Sequence, residues 1–210
     1  MVAAAIAHTL SGEGKRVAIF KPAVTGLNEE GEPDHALLRR AAESDQTDDE
    51  IAPYRYGAPM SPHLAAELAG EEISPARLLR TARAAAADAD TLVCEGVGGL
   101  LVPLTARYFI RDLAVDLGLP LVVVASPGLG TISHTLLTVE AARSASLEVH
   151  AVVLTPWSDE PSPIELSNRE AIAELGNVEV ETLPRLDLSS PSSWPRLAQP
   201  LEPPARSHPG

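Results

Sequence analysis

The chain has 210 residues, enough for one large domain or two small ones. Aromatic residues make up only 3%, so a core has to be built from Ala, Val and Leu. With 16 basic against 29 acidic residues, the net charge of −13 argues against nucleic acid or an anionic membrane as the main partner, because both demand clustered Lys and Arg. A nucleotide stays open, since it needs only local positive charge, backbone N–H groups and a metal.

In chain order, Val2–Leu10 is predicted as an Ala-rich helix and Arg16–Phe20 ("RVAIF") as a strand that runs into "KPAVTG". His35–Glu43 is predicted as a helix with Asp34 as its N-cap. In the next helix, Ser61–Ala69, Ser61 caps, Pro62 occupies the first turn and Gly70 ends it. Pro75–Ala87 is a long helix, Thr91–Cys94 a strand, and Ile110–Leu117 a helix. Leu121–Ala125 ("LVVVA") is apolar throughout, the pattern of a strand buried on both faces. Thr131–Ser146 is a helix, His150–Leu154 a strand and Glu165–Leu175 a helix. Strands that alternate with helices predict an α/β fold, a parallel sheet with helices on both faces. There is no internal repeat. Residues 1–188 are expected to form the α/β domain. The Pro- and Ser-rich tail 189–210 is expected to be loosely ordered, with one short helix around Trp194–Ala198.

Cys94 is the only cysteine, so no internal disulfide forms, which fits a reducing cytosol. No apolar run approaches membrane-spanning length, and the N-terminus lacks a charged-then-apolar signal design. Both point to a cytoplasmic protein.

In such folds ligands sit at the C-terminal ends of the strands. Three segments fall there. "KPAVTG" offers Lys21 and Thr25, with Asp34 on the loop beyond. "CEGVGG" offers Glu95 and a backbone with little side-chain cover. "ASPGLGTISHT" offers the N–H groups at Thr131–Ser133, where a helix begins. One amine, two carboxylates and one helix N-terminus would then converge on one edge. Two carboxylates suit Mg²⁺, which also binds phosphate and keeps several waters. Each residue also has a plain structural reading. Lys21 alone reads as a solvated lysine, Asp34 as a cap, and the glycines as a turn. His63 and His134 read as local hydrogen-bonders near helix N-termini, and Cys94 as a small buried residue.

Taken together, "KPAVTG", "MSPHLAAE", "CEGVGGLLVPL" and "PGLGTISHTLLT", in this order, resemble the dethiobiotin synthetase family, across roughly residues 1–188. That resemblance implies a phosphate-loop NTPase-like fold and an ATP- and Mg²⁺-dependent ligase of biotin synthesis. The implied substrates are 7,8-diaminononanoate, CO₂ and ATP, and the implied assembly is a homodimer. It assigns Lys21 to the carbamate and the transferring phosphoryl group, and Thr25 to the substrate. It assigns Asp34 and Glu95 to Mg²⁺, and both with Gly96, Val97 and Gly98 to the nucleotide. Gly130, Thr131, Ile132 and Ser133 would reach the substrate carboxylate across the dimer interface. Ser133 departs from the Asn that family members usually carry there. Leu183, Pro184 and Arg185 ("LPR") match the segment beside the base. "TPWSDEPSPIELSNREAI" puts Thr155 where the family's adenine-reading Asn is expected, which implies a relaxed nucleotide preference.

One departure is large. The family opens with a strand and a G-x-x-x-x-G-K-[ST] loop, and the sequence from Met1 carries neither. "SGEGKR" (11–16) follows a helix and precedes a strand, the reverse of a phosphate loop. Val2–Leu10 begins without a cap, as if cut inside an element. The expectation is a sequence truncated at its N-terminus, with the first strand and loop encoded upstream. Two alternatives remain at this point. One is a non-catalytic binding protein of the same fold without the phosphate loop. The other is a related amidase-type ligase.

Overall fold

The structure, a computed structural model, describes residues 1–194, with only the backbone of Ser192. These residues fall into two compact units. The first is Met1–Gly118 together with residues 186–194, and the second is residues 119–185.

The first unit begins with α1 (Val2–Gly12) and β1 (Val17–Phe20), followed by α2 (Asp34–Ala41), α3 (Asp48–Ile51), α4 (Pro62–Leu68) and α5 (Pro75–Ala86). It continues with β2 (Thr91–Cys94), a hairpin of β3 (Pro103–Thr105) and β4 (Tyr108–Phe109), and α6 (Ile110–Leu117). β1 and β2 are parallel, in the register Val17–Thr91 through Phe20–Cys94. All four β1 residues are buried, so both faces of this strand are covered, as its apolar run requires. α1 and α5 both pack against β1 and β2. Phe20, Leu78, Ala82, Leu104, Ile110 and Leu113 share one core cluster, which joins β1 to α5, β3 and α6.

The capping of two helices in this unit differs from the sequence reading. Pro33, not Asp34, is the N-cap of α2, and Asp34 is the first helical residue, with its carboxylate turned to another partner described below. The capping residue of α4 is Ser61, as expected, but its side chain makes no capping bond. α3 went unseen, although Thr47 and Glu50 form a capping box whose T-x-x-E signature stands in the sequence.

Residues 186–194 return to the first unit. Arg40 donates to the Leu188 carbonyl at 2.7 Å, Trp194 Nε1 donates to the Asp187 carbonyl at 2.6 Å, and the Trp194 ring meets His8 edge-on at 5.7 Å. A short 3₁₀ helix spans Pro191–Ser193. Beyond Trp194, the helix expected around Trp194–Ala198 and the remainder of the tail lie outside the described residues.

The second unit is β5 (Leu121–Ala125), α7 (Thr131–Ser144), β6 (Val149–Trp157), α8 (Pro163–Gly176) and β7 (Val180–Pro184). Its three strands are parallel, in the order β5-β6-β7. The central strand β6 is buried from Ala151 to Thr155. β5 is less covered than its apolar run predicts: Val123 is buried but Val124 is 51% exposed. It is an edge strand of this sheet, with a partner on one side only. β7 was not anticipated, though "VEVETL" alternates with period two. α7 packs on β5 and β6, and α8 on α7 and β7. Among the described residues, no helix is long and apolar enough to cross a membrane.

The buried centre of β6 gives a test of where this unit's stability resides. Leu154 has no exposed surface, whereas Leu175 on α8 is 69% exposed. Leu154→Ala is expected to lower unfolding free energy by about 2–5 kcal/mol. Leu175→Ala is expected to change it by no more than about 0.5 kcal/mol. Urea titration of both variants checks the contrast, and equal midpoints would contradict it.

Candidate active site

Parallel pairing of β1 with β2 fixes what stands at their C-terminal ends. One step beyond the Phe20–Cys94 pair, Lys21 comes opposite Glu95, 74 positions later in the chain. The ladder is still intact there, since Glu95 N–H donates to the Phe20 carbonyl at 2.9 Å. Lys21 Nζ donates to Glu95 Oε1 at 2.6 Å and to the Gly96 carbonyl at 3.2 Å, and it pairs with Asp34 Oδ2 at 3.0 Å. An ammonium has three donors, and all three are used.

Lys21 is 3% exposed. Burial pulls its ammonium pKa down and is the largest single influence on it. The charges and hydrogen bonds of Glu95 and Asp34 together outweigh burial, so the pKa stands above the ordinary 10.5. The lysine is therefore a permanent cation at neutral pH. The sign follows for stability: a folded-state value above the unfolded one contributes stability in full below pH 10.5, and loses it only as pH rises through the folded value.

The backbone around the amine is tied down. Lys21 N–H donates to the Ile51 carbonyl, Val24 N–H to the Tyr54 carbonyl, and Tyr56 N–H to the Val24 carbonyl. Val24 also forms an isolated parallel bridge with Arg55. Gly96 sits where a Cβ would come within 3.2 Å of Ile110, and Gly98 adopts φ +69°, a left-handed conformation that favours glycine. Val97 packs against the core, which leaves its backbone for any ligand. Thr25 is partly buried on the loop after β1. The α-amino group of Met1 lies 3.8 Å from Glu95 Oε2.

The neighbouring candidates resolve differently. Cys94 is half-buried against the core rather than fully buried as its plain reading holds, and burial pushes its thiol up to about 12. His63 Nδ1 is buried and has no hydrogen-bond partner among the described residues, so the local-bond reading fails for that atom. His134 is exposed on α7.

In the second unit, Gly130 is the N-cap of α7 with φ +90°. Thr131 is buried, with its hydroxyl 3.3 Å from that of Thr135, and Ile132 packs on the core of this unit. Both side chains turn inward, and of Thr131, Ile132 and Ser133 only Ser133 is exposed. Asn168 was missed by sequence reasoning. Its buried amide donates to the Pro127 and Gly128 carbonyls, at 2.8 and 3.1 Å, and holds the loop that leads into α7. Thr155 is buried near the end of β6, and its hydroxyl oxygen has no partner among the described residues. Leu183 is core, while Pro184 and Arg185 are exposed.

No group of three or more His, Cys, Asp or Glu gathers among the described residues. Asp34 and Glu95 nevertheless aim their carboxylates at one cation, the Lys21 ammonium. Two hard oxygen donors at one point fit Mg²⁺, which takes one or two protein carboxylates and completes its shell with phosphate and water. They do not fit a soft-ligand metal.

Comparison with known proteins identifies the family. The family model described as an AAA domain matches residues 1–193. A protein of Anaeromyxobacter dehalogenans is 45% identical over 175 residues, 83% of this chain and 78% of its own length. One of Rhodococcus erythropolis is 38% identical over 180 residues, 85% of this chain and 78% of its own. One of Bacillus licheniformis is 33% identical over 193 residues, 91% of this chain and 82% of its own. Each of the three is named ATP-dependent dethiobiotin synthetase. With relatives this similar over most of both chains, the chain belongs to the dethiobiotin synthetase family.

Proposed function

We propose that this protein carboxylates 7,8-diaminononanoate and closes it to dethiobiotin at the expense of ATP. The observation that carries this reading is the buried Lys21 ammonium held between Glu95 and Asp34, in a chain of this family. One substrate amine adds to CO₂ and loses a proton to give a carbamate. A carbamate oxygen attacks the γ-phosphorus, and ADP leaves. The second amine attacks the carbonyl carbon of the resulting carbamic–phosphoric anhydride, phosphate departs, and the cyclic urea is closed. Negative charge grows on oxygen in each step, so fixed positive charge is what the protein has to supply.

Lys21 supplies it. Its ammonium is already desolvated and fixed in place, and donors now held by Asp34 and Glu95 would turn to an anion forming beside it when those carboxylates engage Mg²⁺. Asp34 and Glu95 would hold Mg²⁺, which when bound neutralises phosphate charge. Gly96, Val97 and Gly98 offer backbone to the nucleotide, and Thr25 a hydroxyl to the diamine. Thr155, Leu183, Pro184 and Arg185 are proposed nucleotide contacts. Gly130, Thr131, Ile132 and Ser133 are proposed contacts to the substrate carboxylate through a homodimer, with Thr131 and Ile132 acting by their N–H groups. The single cysteine supports a cytoplasmic enzyme, and the net charge of −13 argues against a nucleic-acid partner.

Mass-spectrometric detection of dethiobiotin, dependent on ATP, CO₂ and the diamine together, tests the reading. Binding of the diamine without product would move the protein to the non-catalytic alternative. Lys21→Ala is expected to lower kcat by about 10²–10³ or more, with an unchanged circular dichroism spectrum. The fold survives because the orphaned carboxylates reach water, at 22% and 57% exposure for Glu95 and Asp34. Near-normal kcat would remove Lys21 from the mechanism. Glu95→Gln is expected to raise the Mg²⁺ concentration for half-maximal rate by about tenfold or more. It also removes the carboxylate that most strongly opposes the effect of burial on Lys21, so the alkaline limb of the pH–rate profile is expected to move to lower pH. An unchanged Mg²⁺ titration and an unmoved alkaline limb would contradict the role of Glu95.

A further inference from the structure

Among the described residues, β1 has a strand partner on one side only, β2. It is nevertheless buried along its whole length, and Ile19 has no exposed surface. The Ile19 N–H and carbonyl on the free edge therefore need partners, since a buried unpaired peptide group is strongly unfavourable. No strand among the described residues supplies them. The side chain of Gln46 does: Ile19 N–H donates to Gln46 Oε1 at 2.8 Å, and Gln46 Nε2 donates to the Ile19 carbonyl at 3.1 Å. A primary amide carries a donor and an acceptor side by side, as a peptide group does, so a single Gln side chain imitates one residue of a neighbouring strand. Ser44 holds that amide in turn. Its hydroxyl donates to Gln46 Oε1 at 3.1 Å and accepts from Gln46 N–H at 3.2 Å.

The edge continues directly into the site. Alternate residues of a strand present their amides to the same side. Two positions after Ile19, Lys21 N–H points to this same edge and meets the Ile51 carbonyl at 2.8 Å. Gln46 and Ile51 therefore hold successive rungs of one ladder, and the second rung is the backbone of the lysine whose Nζ bridges Glu95 and Asp34. We propose that Gln46 is a positioning residue for Lys21, acting as a surrogate strand that fixes the height and direction from which the ammonium reaches its carboxylates. It touches neither the lysine side chain nor the carboxylates, and its effect is transmitted through the Ile19–Lys21 backbone. The inference rests on the proposed role of Lys21 for its catalytic consequence but not for its structural one.

Two variants test it in the full chain. Gln46→Met keeps the length and removes both bonds. Gln46→Glu keeps the acceptor and sets a second oxygen against the Ile19 carbonyl. The first measurement is the acetylation rate of each lysine under trace labelling, read by mass spectrometry. The sequence has two lysines, Lys21 and Lys15, so Lys15 is the internal control. In both variants Lys21 is expected to label several-fold faster than in the wild type, with Lys15 unchanged. The second measurement is steady-state kinetics, in which kcat is expected to fall by about 10–100-fold, the scale of losing an orienting partner, while KM for ATP holds. Wild-type labelling of Lys21 in both variants would overturn the proposal. So would faster labelling of both lysines together with a lowered melting temperature, because Gln46 would then support the fold as a whole. Labelling requires no turnover. A wild-type protein that makes no dethiobiotin would therefore defeat the functional reading, while the labelling arm still decides the role of Gln46.

Discussion

A lysine ammonium with 3% exposure is the constraint on which the first unit depends. Removing such a charge from water is strongly unfavourable, by several kcal/mol even after relaxation. It is tolerated only where opposite charge and hydrogen-bond acceptors surround it. Glu95, Asp34 and the Gly96 carbonyl do this, and each requires a different part of the fold to be in place. Glu95 and Gly96 require the β1–β2 register. Asp34 requires α2 to begin where it does. A shift of one residue in either element would leave the ammonium short of a partner.

The same constraint accounts for the geometry nearby. Gly96 leaves room for Ile110, and the main chain can then turn its carbonyl to the amine. Residues 46–56 line the free edge of β1 and its following loop with backbone and amide partners, so the amine is carried by a strand held on both sides. For the role proposed for Lys21, this fixes where the positive charge stands, and an anion forming nearby meets a charge that does not need to move.

Much of this was legible from residue patterns, and the exceptions have physical reasons. Strands β2 and β5 were bounded correctly because their apolar stretches end at a charged residue or at a Ser-Pro-Gly turn, and helix α6 because Gly118 ends it. α3 was missed because four residues hold no periodicity, and the β3–β4 hairpin because its strands have three and two residues. Lys21, Asp34 and Glu95 could be nominated because strand ends are where parallel sheets bind ligands. Asp34 was nonetheless first read as a helix cap, since sequence cannot show which way a carboxylate at a helix start turns. Gln46 and Asn168 left no signal at all. Both act by bonding backbone far away in sequence, 27 and about 40 positions from their partners, and an amide in a loop or on a helix face looks like ordinary polar surface.

The central claim is that paired carboxylates overcome burial at Lys21, and the titration of its side-chain amine measures this most directly. Nitrogen-15 labelling of lysine allows the two Nζ signals to be followed with pH, and the Lys21→Arg variant assigns them. Lys21 Nζ is expected to titrate above 10.5, the ordinary lysine value. A midpoint below 10.5 would mean that burial dominates, that the carboxylates do not hold the amine in solution, and that the account is wrong.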